Sequence, residues 1–79
     1  QALARNPDDH DARLELAKAL AGHGRLQDAV DQIFVILEKD PTWNEGAARA
    51  QLLTVFEAAG LSSEIARNGR RRLSSILFT

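Results

Sequence analysis

Residues 13–41, RLELAKALAGHGRLQDAVDQIFVILEKDP, decide the fold of this chain. Large and small apolar residues recur in this stretch at helical spacing: Leu16, Ala17, Leu20, Ala29 and Ile33. Small residues let two antiparallel helices approach closely, and large residues fill the layer between them. Because Gly22-His23-Gly24 interrupts the pattern, the stretch predicts a helical hairpin with its turn at these glycines.

The same hairpin motif is predicted to occur twice. Asn6-Pro7 and Asp40-Pro41 lie 34 residues apart, and each precedes the opening of a predicted helix. A period of this length is typical of proteins built from stacked helical hairpins. We therefore predict a single all-α domain over 1–79, with a first repeat at 7–40, a second at 41–79 and the last helix acting as a cap.

The order of residues between the two prolines resembles the tetratricopeptide repeat. A large residue followed by a small one marks the first helix (Leu16-Ala17), Ala29 and Ile33 mark the second, and Pro41 closes the repeat. Arg13 departs from the pattern, which usually has Trp or Leu at that position. The resemblance implies a tetratricopeptide-like fold that binds other proteins and rarely performs catalysis.

Glycine and proline divide the chain into predicted helices. Their bounds are about Asp9 to Ala21, Leu26 to Lys39, Asn44 to Ala59, and Ser62 to the end. Carboxylates suit the start of the first helix because they accept orphan backbone N–H groups and oppose the macrodipole: Asp8, Asp9 and Asp11. Thr42 or Asn44 is expected to cap the third helix.

The predicted packing assigns particular side chains to the core. Leu16 and Phe56 are expected to fill the layer between helices, and Gly69 to lie where two helices approach closely. The face of the first helix that carries Leu14 and Ala21 is expected to be uncovered. Because repeats bury their faces on neighbours, this uncovered face predicts self-association.

Composition limits the class of protein. The chain has no Cys, which excludes disulfides and thiolate metal sites, and no apolar stretch approaches the ~20 residues needed to span a bilayer. It has a net charge of −1, which argues against nucleic-acid binding through bulk charge. It begins with Gln and contains no Met, so we expect it to be part of a longer protein.

Charge is distributed unevenly along the chain. Residues 1–64 carry six basic and eleven acidic side chains, whereas residues 65–79 carry four arginines and no acid. One interpretation is a solvated face on a capping helix. The other is a partner-binding surface that docks on an acidic, partly apolar patch, for which the candidate residues are Arg70, Arg71, Arg72, Leu77 and Phe78.

The remaining polar motifs predict no chemistry. Asp8-Asp9-His10-Asp11 has the residue types of a metal site, but consecutive residues at a helix start point in different directions, so capping is the favoured interpretation. Trp43 is interpreted as packing against the third helix rather than stacking on a ligand. We therefore predict no catalytic residue, no cofactor and no metal ion, and we expect the chain not to be an enzyme.

Two stretches resemble a narrower family. Residues 43–60 and 70–78, with the more generic residues 6–24, resemble the C-terminal repeats of bacterial thioredoxin-like co-chaperones, the chaperedoxins. This resemblance implies a thioredoxin-fold domain upstream and a cytoplasmic protein that holds unfolding clients and passes them to chaperones. A tetratricopeptide adaptor in cytochrome c maturation or envelope assembly is the alternative, because its first repeat would look much the same.

Overall fold

The computed structural model of the chain describes residues 9–77. It contains four helices: α1 (His10–Gly22), α2 (Leu26–Lys39), α3 (Trp43–Ala59) and α4 (Glu64–Leu77). They form two successive hairpins, and there is no strand within the described range. The predicted all-α architecture is confirmed, and the predicted helix ends agree to within two residues wherever the structure describes them.

Helix α1 begins and ends as its sequence predicts. The Asp9 carboxylate accepts a hydrogen bond from the backbone N–H of Ala12 at 3.0 Å, and Asp11 lies in the first turn. The predicted contribution of Asp8 lies outside the described residues. After the helix, Gly24 has φ +79°, a conformation that glycine adopts without the steric cost of a Cβ.

Helix α2 lies at the centre of the molecule. It contacts the other three helices, whereas α1 does not contact α4 within 9–77. Its buried residues occupy more than one face: Ala29, Val30, Ile33, Phe34, Ile36 and Leu37. A helix that is apolar nearly all round is one that is covered on several sides. Its near-continuous apolar run is thus explained by its position between the other helices.

The packing of α1 differs from the prediction. Leu14 and Ala17 are buried, whereas Leu16 is 39% exposed. Ala21, expected on an uncovered face, is half-buried against the core. The prediction was wrong because α1 packs through residues spaced by three and four, Leu14, Ala17 and Ala21, and a residue one position before Ala17 points about 100° away. The predicted uncovered face of α1 is therefore part of the core.

The second hairpin is built around Phe56. This side chain is 1% exposed, and a Cβ placed on Gly69 of α4 would overlap its ring at Cε1 and Cζ. Gly69 is itself buried in the middle of α4. The predictions that Phe56 lies in the core and that Gly69 is a position of close approach are both confirmed.

The start of α3 is irregular. Asn44, Glu45 and Gly46 have φ of 50°, 55° and 86°, so they form a left-handed turn before the regular helix. Thr42 precedes the helix, but its side chain makes no capping hydrogen bond; its hydroxyl donates to the Asp40 carboxylate at 3.3 Å. The expectation that Thr42 or Asn44 caps α3 was therefore wrong, because the left-handed turn moves both residues away from the first regular turn.

Candidate protein-interaction surface

The arginines of α4 face different sides of the helix, and Arg72 faces α2. Its guanidinium lies 3.1 Å from Asp31 Oδ1 and 3.6 Å from Glu38 Oε1. The Arg72 Cζ atom also lies 4.2 Å from the centroid of the Phe34 ring, where a cation–π interaction adds to the ion pairs. Arg72, proposed from the sequence as a partner-binding residue, is thus already engaged in holding α4 against α2.

Arg70 faces the turn between α3 and α4. Its Nη1 donates a hydrogen bond of 2.7 Å to the backbone carbonyl of Leu61. The carbonyl is neutral, so the contact positions the side chain without cancelling its charge. Arg70 is exposed, and Leu61 is 61% exposed. The turn therefore holds the positive charge of Arg70 at the backbone of an exposed leucine.

The middle of the exposed face of α4 carries a line of polar residues. Arg67, Arg71 and Ser74 are spaced by four and three residues, and all three are exposed. Within residues 9–77, neither Arg67 nor Arg71 makes a hydrogen bond or ion pair through its guanidinium. The charge of these two arginines has no role in the fold of the described part of the chain.

The other two candidates on the last helix divide between the core and the undescribed end. Leu77 is half-buried and packs against the hydrophobic core, so it contributes to the fold. Phe78, the remaining candidate, lies outside the described residues. Of the four candidate residues that the structure describes, Arg70, Arg71 and Arg72 are exposed, and Arg71 is the one whose guanidinium makes no hydrogen bond or ion pair within 9–77.

Exposed leucines are a feature that the sequence analysis missed. Leu16, Leu53 and Leu61 are 39%, 45% and 61% exposed. Leu61 falls between the third and fourth predicted helices, and Leu53 falls within the third. A helical-wheel comparison of Leu53 with Leu52 and Phe56 could have identified it, because Leu53 falls outside the stripe that these two residues share.

The aromatic rings at the starts of α1 and α3 fit a packing role. Trp43 packs against the core, and its ring meets that of His10 edge-on with centroids 5.6 Å apart. Among residues 9–77, no three His, Asp or Glu side chains are placed to hold an ion, and no pocket is found.

No helix in that range is long and apolar enough to cross a membrane.

A sequence model described as the tetratricopeptide repeat matches residues 1–78. The chain therefore belongs to the tetratricopeptide-repeat family, as its two hairpins and its 34-residue spacing predict. No curated protein and no solved structure matches the chain. Tetratricopeptide arrays present extended surfaces to other proteins, so the membership indicates a protein–protein interaction module.

Proposed function

We propose that this chain is the protein-binding module of a thioredoxin-like co-chaperone, and that it contacts chaperones or unfolded clients in the cytoplasm. The narrower assignment rests on the resemblance of residues 43–60 and 70–78 to that family. The observation that carries a binding role is the pair Arg67 and Arg71, which are exposed and lack partners within 9–77. Charges that the fold does not use are available to a partner.

The chemistry of this face favours an acidic partner. Arg67, Arg70 and Arg71 lie on one helix, with Glu64 in its first turn as the one acidic residue. Exposed charges of this kind raise the association rate and make binding sensitive to salt, more than they add affinity. We also propose Phe78 as the apolar anchor of the interface, since aromatic residues commonly serve in that role.

The test is capture of the chaperone partner by the intact protein at two salt concentrations. Changing Arg67 and Arg71 together to Ala is expected to lower the association rate by about tenfold at low salt and by less at high salt, because steering weakens as charges are screened. Arg25→Ala is the matched control, since Arg25 is exposed but pairs with Asp28 at 2.7 Å. Equal capture by the double variant and the control would contradict the proposal.

An adaptor in cytochrome c maturation or envelope assembly remains the second candidate. The generic first repeat, residues 7–40, favours it as much as it favours a co-chaperone. The residues encoded upstream separate the two. A thioredoxin fold there supports the first assignment, whereas membrane-spanning helices support the second.

A further inference from the structure

The surface that α4 covers is the feature that the proposed function does not use. On α2, Asp31, Phe34 and Glu38 are spaced by three and four residues, so they lie on one face of that helix. This face receives Arg72 of α4, whose guanidinium pairs with both carboxylates. The Arg72 Cζ atom also lies 4.2 Å from the centroid of the Phe34 ring. One arginine of α4 thus covers an aromatic ring that has an acid on either side of it along α2.

Helix α3 adds a second aromatic ring beneath α4. Phe56 lies so close to Gly69 that a Cβ at position 69 would overlap its ring. Gly69 and Arg72 are three residues apart on α4, so they lie on the same side of that helix. Both rings are therefore in contact with the inner side of α4. We name this covered region, on α2 and α3, the acidic aromatic surface: Asp31, Phe34, Glu38 and Phe56.

Helix α4 covers this surface with little apolar burial. Of the three residues that it buries, Ala66 and Gly69 have the smallest side chains, and Leu73 is the one large residue. Its other apolar side chains are half-buried: Ile65, Ile76 and Leu77. The side chains of Arg72, Asp31 and Glu38 are 44%, 51% and 60% exposed, so water screens their ion pairs. A helix held by few buried contacts opens before the core does.

We propose that the acidic aromatic surface binds a basic amphipathic helix of a partner protein, and that α4 covers the surface until such a helix replaces it. The contacts of α4 define this partner: a glycine where its helix crosses Phe56, and an arginine three residues later. Opposite charge favours this occupant, because Asp31 and Glu38 lose Arg72 when α4 leaves. The inference goes beyond the proposed function, which concerns the outer face of α4 and an acidic partner.

Hydrogen exchange of the parent chain measures whether α4 opens separately from the rest of the fold. The backbone amides of residues 69–73 in α4 are expected to exchange at least about tenfold faster than those of residues 33–37 in α2, because α4 opens while the core stays folded. Equal exchange rates in the two helices would overturn the proposal, since α4 would then open only when the whole chain unfolds.

A labelled peptide of residues 64–77 is the probe for the surface, and fluorescence anisotropy measures its binding to the full chain. Its apparent affinity is reduced by the fraction of the chain in which α4 is open. Arg72→Ala in the chain is therefore expected to tighten binding of the peptide about fivefold, because it opens α4 and leaves the acidic aromatic surface unchanged. Circular dichroism checks that this variant is folded. No binding to either chain up to about 1 mM would overturn the proposal.

Three changed peptides test the contacts that define the partner. Gly69→Leu would overlap Phe56, and Arg72→Glu would repel the two carboxylates of α2, so each peptide is expected to bind at least about tenfold more weakly than the parent peptide. Arg71→Ala is the matched control, because Arg71 makes no hydrogen bond or ion pair within 9–77. Its affinity is expected to stay within about twofold of the parent. An equal loss in all three peptides would overturn the proposal.

Sedimentation of the parent chain alone separates a partner protein from a second copy of this chain. The chain is expected to remain a monomer as its concentration is raised. Dimers that Arg72→Glu abolishes would overturn the assignment to a partner protein, because α4 of a second copy would then fill the acidic aromatic surface.

Discussion

The two hairpins of this molecule are stabilised in different ways. Helices α1 and α2 pack against each other far more extensively than α3 and α4 do. Helix α2 buries six residues, whereas α4 buries Ala66, Gly69 and Leu73. Helix α4 instead depends on a close approach at Phe56 and on the ion pairs of Arg72 with α2. The first hairpin with α3 supplies most of the core, and the last helix keeps most of its side chains available at the surface.

This difference matters for function because only some of the arginines of α4 take part in attaching the helix to the rest of the fold. Helix α4 buries few residues, and the ion pairs of Arg72 with α2 help to hold it in place. Arg67 and Arg71 form no such pairs within 9–77. A helix that is attached through one side and charged on the other is suited to cap a stack of repeats, because its outer face must be polar. The same outer face can then meet a partner.

The largest effect is expected in the core between the hairpins. Phe56→Ala should lower the free energy of unfolding by about 3–5 kcal/mol, the range for truncating a buried Phe. Leu16→Ala should cost less than about 1 kcal/mol because the side chain is already substantially in water. Urea unfolding followed by circular dichroism measures both. Equal losses for the two variants would contradict the placement of Leu16 outside the core.

The close approach of α3 and α4 provides the next test. Gly69→Ala should destabilise by about 1–3 kcal/mol, the cost of overpacking, even though Ala gains about 1 kcal/mol in helix propensity. Gly22→Ala is the control, because Gly22 has no heavy atom within 4 Å of its added Cβ and does not have a positive φ. That variant should be neutral or slightly more stable. Stabilisation by Gly69→Ala in urea unfolding would show that α4 lies farther from Phe56.

The sequence predicted the helices well because their ends are encoded locally. Gly24 and Gly60 both adopt positive φ, and Asp9 caps the helix that follows it. The local sequence does not determine whether Leu14 or Leu16 is the buried residue. Both leucines lie within three residues of Ala17, and only the direction from which α2 approaches α1 decides which is buried. The repeat pattern placed Ala17 correctly and the neighbouring large residue wrongly.

The candidate site was predicted less completely, for a related reason. The basic end of the chain is visible in the sequence, and Arg71 does lie on the open face. The separate role of Arg72 depends on Asp31, which lies 41 residues earlier and comes near only when α4 packs beside α2. Helical spacing within α4 places Arg72 beside Gly69 and Ile76 and Arg71 beside Arg67 and Ser74, but it does not identify Asp31 as the partner of Arg72. The left-handed turn at residues 44–46 was not predicted either: Asn44 and Gly46 are residue types that tolerate positive φ, but Glu45 between them is not.

The smallest expected effects separate these two neighbouring arginines. Arg72→Ala should cost about 1 kcal/mol, since its ion pairs are partly exposed and therefore screened, while its stacking on Phe34 adds a similar small amount. Arg71→Ala should leave stability within about 0.5 kcal/mol, as surface substitutions without partners usually do. Urea unfolding at low and high salt measures the difference, and the effect of Arg72→Ala should shrink as salt weakens the pairs with Asp31 and Glu38. If the two variants were equally stable at low salt, the contact between α4 and α2 would not depend on Arg72, and the contrast between the hairpins would have to rest on Phe56 and Gly69 alone.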